Sequence, residues 1–259
     1  MIFFKKWFVH SREDIKQTSL WIVQEGTNNR NSLIPELVGV VRSHYDDLVR
    51  IAEDIADLGF KHAEKILKAR LPQTKTARSG DLGEILATEF AEEEFNFRIP
   101  IRRLRYKDGR EMALRGDDFI GLRYSKASGL YLLKGESKSR LKLSTTTIKE
   151  ARDVLNRDNG RCTPISLAFI SDRLLDSSNS DDRKIGKILR EELATDTLQP
   201  DRITHALITI SGNSPADLLR DDLKAADSSR QQNVVNIYIP DHADFIKLTF
   251  ENVAKLGKS

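Results

Sequence analysis

The hydrophobic pattern of the chain changes character near Gly80. Before that point, apolar residues recur every three or four positions, as they do on the buried face of a helix. After it, the pattern predicts a helix, three strands, a helix and a strand, followed by helices and strands in alternation. This order predicts an α/β fold in which a mixed sheet is flanked by helices.

The first 75 residues are predicted to be helical and to pack on this core. Apolar residues over 33–58 fit either one long helix or two abutting helices. A further helical run ends near Pro72, and its exposed side is basic. These cations are either a solvated helix face or phosphate contacts; they are Lys61, Lys65, Lys68 and Arg70. The predicted division is a helical region over residues 1–75 and an α/β domain over residues 76–259.

Elements of the α/β domain are predicted from capping residues, turns and periodicity. Ser79 is expected to cap a helix over 80–93. Strands are predicted where apolar and β-branched residues cluster between turns, over 98–106, 115–124, 130–138, 164–171, 203–211 and 234–239. The remaining helices are predicted over 144–157, 181–194, 215–226 and 241–256.

Composition excludes several kinds of site. A single cysteine, Cys162, cannot form a thiolate zinc or iron–sulfur centre, and the five histidines form no pair at metal-ligand spacing. No GxxxxGK[ST] phosphate loop occurs, which excludes ATP hydrolysis by that route. Because 42 Lys and Arg nearly balance 39 Asp and Glu, giving a net charge of +3, any site for a polyanion must be a local patch.

The chain is expected to be cytoplasmic and to have no contact with a membrane. No apolar run approaches the about 20 residues that span a bilayer. The first residues, MIFFKKWFVH, lack the long apolar run and cleavage site of a signal peptide. A single cysteine also fits a reducing compartment.

Charged residues gather at the ends of two predicted strands. Asp117 and Asp118 open one strand, and Glu136 and Lys138 end the next on a shared face. If these strands pair in antiparallel fashion, their charged ends lie side by side. Converging carboxylates favour a hard cation such as Mg²⁺ or Mn²⁺, beside which Lys138 can hold a water. The pattern predicts metal-assisted phosphodiester hydrolysis; an exposed Glu136–Lys138 ion pair is the alternative.

The predicted helix over 80–93 can supply a third carboxylate. One of its faces is a stripe of small residues, which permits another element to approach closely; these are Gly80, Gly83, Ala87 and Ala91. Glu84 borders this stripe and is expected to face the sheet. Glu89 falls beside the large apolar residues, a conflict that periodicity alone does not resolve.

These motifs resemble a known superfamily. Gly-Asp-Leu-Gly-Glu on a helix, Gly-Asp-Asp at a strand start and Glu-Ser-Lys at a strand end resemble the PD-(D/E)xK nucleases, whose restriction-endonuclease-like core surrounds a divalent metal. More narrowly, residues 77–140 resemble the HamA nuclease subunits of Hachiman antiphage defence systems. The segments that carry this resemblance are ARSGDLGEILATEF, RIPIRRLRYKDGREMALRGDDFIGL and YLLKGESK.

The resemblance implies roles for individual residues. Asp118 matches the superfamily aspartate and Glu136 the second metal carboxylate, with the Ser137 carbonyl as a further ligand. Lys138 matches the catalytic lysine, and Glu84 the helix glutamate, which also faces the metal.

One position departs from the superfamily pattern. Asp117 replaces the usual proline, so the choice of ligand between Asp117 and Asp118 stays open. Asp118, the third residue of Gly-x-Asp, is favoured.

The resemblance also implies a Mg²⁺-dependent (or Mn²⁺-dependent) nuclease that cleaves DNA. Its implied partner is a HamB-type superfamily-2 helicase, which forms a heterodimer with the nuclease and restrains it.

Two basic runs are candidate nucleic-acid contacts. Arg102, Arg103 and Arg105 could line a path for DNA, or they could belong to a half-solvated strand. Lys149 and Arg152, one helical turn apart, could contact phosphate or lie on a solvated face. Two other functions remain open: a non-catalytic nucleic-acid-binding or partner-inhibitory module on a nuclease fold, and a stand-alone restriction or repair endonuclease.

Overall fold

A six-stranded mixed sheet with helices on both faces forms the centre of the computed structural model, which describes residues 3–26 and 30–257. Its strands are β1 (Phe8–Ile15), β2 (Thr18–Glu25), β3 (Phe119–Ser125), β4 (Gly129–Arg140), β5 (Ile203–Ser211) and β6 (Gln232–Tyr238). In space they follow the order β1-β2-β6-β5-β4-β3. The predicted mixed sheet flanked by helices is confirmed.

Helices connect and cover the strands. They are α1 (Phe3–Trp7), α2 (Arg30–Tyr45), α3 (Leu48–Leu58), α4 (Phe60–Arg70), α5 (Lys75–Glu94), α6 (Thr145–Leu155), α7 (Pro164–Leu175), α8 (Ser180–Thr195), α9 (Ala216–Ala225) and α10 (His242–Val253). None of the helices within the described ranges has the length and apolar character that crossing a membrane requires.

The N-terminal region is not purely helical, contrary to the prediction. It begins with an antiparallel hairpin, β1–β2, and β2 pairs in parallel with β6. Trp21 and Val23 of β2 are buried, whereas β1 is exposed beyond Phe8, so β1 carries little alternation of apolar residues to reveal a strand. The predicted division at residue 75 stays a prediction, although one sheet includes strands from both sides of it.

The helical part of that region is interrupted. The apolar run over 33–58 forms two helices, because the chain turns after α2 and the Asp47 side chain caps α3 by accepting from the Val49 N–H. α4 then ends two residues before Pro72.

Two predicted strands are wrong. Residues 98–106 form an isolated bridge at Arg98 and a 3₁₀ turn over Arg103–Tyr106, since Pro100 cannot donate to a ladder. Residues 164–171 begin α7, with Pro164 at the first turn, where a missing N–H carries no penalty. Short apolar runs do not distinguish a buried strand from a buried helix.

The predicted helix over 80–93 begins earlier. α5 starts at Lys75, capped by the Thr74 hydroxyl. Ser79 does not cap it; its hydroxyl donates to the Ser139 hydroxyl on β4 at 3.0 Å. The predictions for β5, β6, α6, α8, α9 and α10 are confirmed to within a few residues.

Side chains on β4 alternate between the two faces of the sheet, which fixes what each can reach. Leu133 packs in the core that includes α5, whereas Leu132 packs with the apolar side of α7. Glu136 and Lys138 share the parity of Leu132, and Ser137 and Ser139 share the parity of Leu133. Glu136 and Lys138 therefore project from the face opposite α5.

Candidate active site

The β3–β4 hairpin brings the predicted acidic residues together. Phe119 pairs with Gly135 in antiparallel register, which places Asp118 beside the end of β4. One oxygen of Asp118, Oδ2, accepts hydrogen bonds from the Ser137 backbone N–H at 2.7 Å and from the Ser137 hydroxyl at 2.8 Å. The predicted side-by-side placement of the two strand ends is confirmed.

Glu136 and Lys138 form an ion pair next to Asp118. The Glu136 carboxylate is 3% exposed, and the Lys138 ammonium contacts its Oε1. Burial, followed by the charge of Asp118, raises the pKa of Glu136 to about 8. The charged form of this carboxyl group is therefore disfavoured despite Lys138, and a further cation beside it would stabilise the charge.

Glu84 approaches Asp118 from the other side of the sheet edge. Its helix, α5, lies so close to β4 that a Cβ at Gly83 would be 2.8 Å from the Ser139 Cβ. Glu84 is half-buried, and burial together with the charge of Asp118 raises its pKa well above the ordinary value. The small-residue stripe thus permits a close approach at Gly83, whereas Gly80 faces open space.

The charge of Asp118 acts on a carboxyl group on each side of the sheet, Glu84 on the α5 side and Glu136 on the other. After burial, this charge is the next cause that raises the pKa of Glu84, on α5, and of Glu136, on β4. In the described part of the chain, no three His, Cys, Asp or Glu side chains are grouped as a metal-binding set. The arrangement is an acidic cluster at the sheet edge in which Lys138 balances part of the charge.

Asp117 points elsewhere and has its own partners. Its Oδ2 accepts from the Thr163 N–H at 2.8 Å, and its Oδ1 lies 3.6 Å from the buried Lys134 ammonium. The preceding residue, Gly116, has φ of +95°, and a Cβ there would be 2.2 Å from the Ser166 Oγ. Glycine is thus required where the chain enters this pair of aspartates.

A buried polar triad of Tyr45, Asp81 and Lys107, which no sequence pattern predicted, supports α5 one turn before Glu84. Lys107 Nζ lies 2.9 Å from both oxygens of Asp81, and the Tyr45 hydroxyl donates to Asp81 Oδ2 at 2.7 Å. Asp81 belongs to the Gly-Asp-Leu-Gly-Glu motif, which was the available signal. The triad ties α5 to α2 and to the loop before β3.

The candidate nucleic-acid contacts are mostly engaged within the protein. Arg102 pairs with Glu89 at 3.0 Å and Glu92 at 2.5 Å. Arg103 is buried and donates to the Arg115 carbonyl. Glu89 also contacts His44 at 2.8 Å, which explains its place beside the apolar stripe.

The remaining three candidates differ in exposure. Arg105 donates to the Ser43 carbonyl at 2.8 Å, and the buried Arg152 pairs with Asp222 at 2.7 Å. Lys149 is exposed on α6. Binding of DNA by these residues stays a prediction, and Arg103 and Arg152 would have to leave internal partners to take part.

The chemistry of the donor set fits a hard divalent cation. Asp118 and Glu136 offer carboxylate oxygens, which Mg²⁺ and Mn²⁺ prefer. The raised pKa of Glu136 records the repulsion and burial that a bound cation would offset. Glu84 supplies further negative charge from the α5 side.

Comparison with known proteins identifies the family. The chain is 25% identical over 189 residues to the protein named Hachiman protein HamA from Bacillus cereus; the alignment covers 69% of this chain and 65% of that relative. The chain thus spans slightly less than two thirds of the relative's length. The model of the HamA family matches residues 1–253. Since this match includes almost the whole chain, the protein belongs to the HamA family.

Proposed function

We propose that the protein is a Mg²⁺-dependent (or Mn²⁺-dependent) deoxyribonuclease of the PD-(D/E)xK type that acts in Hachiman antiphage defence. The observation that carries the proposal is the position of Asp118, which hydrogen bonds from Ser137 hold at the end of β4 beside the Glu136–Lys138 pair. Burial, followed by the charge of Asp118, raises the pKa of both Glu84 and Glu136. Buried carboxylates that repel one another next to a lysine are typical of sites that bind a metal and a phosphate.

Each residue of the site has a proposed role. Asp118 and Glu136 would hold the metal, with the Ser137 carbonyl and Glu84 as further ligands. Bound there, the metal would lower the pKa of the attacking water and offset charge on the scissile phosphate. Lys138, which contacts Glu136, would orient the water or take its proton. Ser137 would fix Asp118 through its two hydrogen bonds.

We also propose a partner and a setting. The name of the Bacillus cereus relative, Hachiman protein HamA, supports a role in that defence system. The proposed partner is a HamB-type superfamily-2 helicase that forms a heterodimer with the nuclease, engages DNA in the cytoplasm and releases the nuclease from restraint. A net charge of only +3 suits a nuclease that binds DNA weakly on its own at physiological salt and more strongly at low salt.

Cleavage of plasmid and linear DNA with Mg²⁺, with and without the helicase, tests the proposal. We expect Glu136→Ala and Lys138→Ala each to reduce cleavage by about 10²-fold or more, as loss of a group that stabilises transition-state charge does. Glu191→Ala, an exposed carboxylate on α8, is the matched control and should cleave normally. Cleavage that survives both site substitutions would show that the site is wrongly assigned, and absence of carboxylate-dependent Mn²⁺ binding would favour a non-catalytic module.

A further inference from the structure

A basic groove of about 610 Å³ lies between α4, α10 and the first turns of α5. Five cationic side chains and one acidic side chain line it: Lys65, Lys68, Arg78, Arg110, Lys255 and Glu251. The side chains of its lining carry a formal charge of +4, against +3 for the whole chain. The groove is thus a local basic patch on a nearly neutral protein.

The groove has both free and fixed cations. Lys65 and Lys255 are exposed, and within the described residues neither forms an ion pair. Lys68 is paired with Glu64, one turn away on α4. Arg78 is held over the Phe250 ring at 5.6 Å while its Nε donates to the Pro72 carbonyl at 3.0 Å. A planar guanidinium fixed in this way is preorganised to donate two hydrogen bonds to a phosphate group.

The groove and the candidate active site share a helix. Arg78 and Glu84 are six residues apart on α5, which corresponds to about 9 Å along the helix axis. The Lys107 ammonium, which binds Asp81 one turn before Glu84, also donates to the Arg110 carbonyl at 3.1 Å. The groove therefore lies on the α5 side of the sheet, on the same helix that carries Glu84.

We propose that this groove binds the phosphate backbone of the DNA substrate and leads it to the site at Asp118. The inference rests on the proposed nuclease function and names the path of its substrate. Lysine and arginine side chains gathered on one surface form the electrostatic footprint of a nucleic-acid-binding protein. Lys65 and Lys68 of α4 are then phosphate contacts, whereas Arg103 and Arg152, which the sequence suggested, are buried in internal contacts.

The test compares two double variants of the full chain. Lys65→Gln/Lys255→Gln removes two exposed lysines of the groove that form no ion pair within the described residues. Lys126→Gln/Lys187→Gln removes two exposed lysines elsewhere, in the β3–β4 turn and on α8. Binding of a short fluorescein-labelled DNA duplex is followed by fluorescence anisotropy in EDTA, over a range of salt concentrations. All four substituted side chains are exposed, so both variants should fold, which circular dichroism checks.

We expect the groove variant to lose about ten-fold or more in affinity at low salt, and the slope of log K against log salt to fall by about 2. The control variant should match the unsubstituted chain. Bound duplex should also protect Lys65 and Lys255, and not Lys126 or Lys187, from acetylation detected by mass spectrometry. Equal behaviour of the two double variants, or no salt-dependent binding by the unsubstituted chain, overturns the proposal.

The binding assay in EDTA separates this proposal from the nuclease proposal. If duplex binding depends on the groove lysines but no Mg²⁺-dependent cleavage occurs, the nuclease proposal is refuted and the groove still binds DNA. If cleavage requires Glu136 but the affinity for duplex does not change when Lys65 and Lys255 are replaced, the groove proposal is refuted and the nuclease proposal stands. Loss of helicase binding alone in the groove variant would assign the surface to the protein partner and also overturn the proposal.

Discussion

Ser137 donates two hydrogen bonds to a single oxygen of Asp118, one from its backbone N–H at 2.7 Å and one from its hydroxyl at 2.8 Å. Asp118 precedes β3, whereas Ser137 lies within the paired part of β4. Hydrogen bonds from the sheet, and not the loop before β3, therefore set the position of the Asp118 carboxylate, whose charge affects the pKa of both Glu84 and Glu136.

Replacing Ser137 by alanine removes the hydroxyl bond and keeps the backbone one. A hydrogen bond to a charged group contributes about 1.5 to 3 kcal/mol, so we expect Ser137→Ala to lower the free energy of unfolding by about 1.5 kcal/mol. DNA cleavage should fall as well, because Asp118 becomes less well fixed. Urea unfolding and a cleavage assay measure the two effects. Ser128→Ala, in the exposed β3–β4 turn, is the control; equal effects of the two substitutions would contradict the argument.

The Tyr45–Asp81–Lys107 triad predicts unequal effects of two substitutions. Asp81→Ala leaves the Lys107 ammonium, whose side chain is 5% exposed, without its carboxylate. Removing one partner of a buried ion pair costs about 3–5 kcal/mol. Tyr45→Phe removes only one hydrogen bond to Asp81 and should cost about 1.5 kcal/mol. Chemical denaturation of both variants checks the order, and a larger loss for Tyr45→Phe would refute it.

The sequence predicted those parts of the fold that depend on local patterns. The β3–β4 hairpin follows from alternating residues around a short turn. Ile203–Ser211 is predicted as a strand because apolar and β-branched residues predominate in it. The mainly apolar run over residues 164–171 predicts a strand, but a run of eight residues fits either a buried strand or a buried helix. The proline that opens the run was the signal for a helix.

The sequence predicts which residues form the candidate site better than it predicts how they are arranged in space. The spacing of Asp118 and Glu136 places them on paired strands, and the structure brings them together. Periodicity does not reveal that Glu136 projects from the face of β4 opposite α5, the helix that carries Glu84. That relationship depends on which face of the sheet α5 covers. Lys107 contacts Asp81, 26 residues away along a chain that includes the rest of α5 and a 3₁₀ turn, and tertiary packing alone sets this contact.

His205 predicts a loss of stability in acid. Burial is the main cause that lowers its pKa from 6.5 to about 3, and its Nε2 lies 2.8 Å from the Gly160 carbonyl oxygen. Between these pH values the unfolded chain takes up a proton that the folded chain does not. The contribution to stability is present above pH 6.5 and falls by about 1.4 kcal/mol per pH unit as the solution is acidified towards pH 3.

His205→Gln should therefore flatten the profile of unfolding free energy against pH between about pH 6 and 4. The amide can still donate to the Gly160 carbonyl, which limits other losses. Urea unfolding at several pH values measures the profile, with the exposed His62→Gln as control. Parallel profiles for the unsubstituted chain and His205→Gln would rule out this assignment.

Binding of Mn²⁺ should release a proton near neutral pH. Burial and the neighbouring Asp118 raise the pKa of Glu136 to about 8, and a carboxyl ligand must be deprotonated to coordinate a metal. We expect release of about one proton per metal near pH 7 and of almost none near pH 9. Calorimetric titration in buffers of different protonation enthalpy counts these protons. Asp118→Asn and Glu136→Gln should abolish the heat and Glu191→Gln should not; release that does not vary with pH would count against Glu136 as a ligand.

Two glycines on α5 allow the effect of close packing on stability to be distinguished from the effect of helix propensity. A Cβ at Gly83 would lie 2.8 Å from the Ser139 Cβ, whereas one at Gly80 meets nothing within 4 Å. Gly83→Ala should therefore push α5 from β4, reduce stability by about 1–3 kcal/mol and impair cleavage by moving Glu84 away from Asp118. Gly80→Ala should be neutral or stabilise the helix by up to about 1 kcal/mol. Adding Ser139→Gly to Gly83→Ala removes the opposing Cβ and should restore part of the loss in a double-mutant cycle; additive effects would mean that the contact between α5 and β4 does not position Glu84.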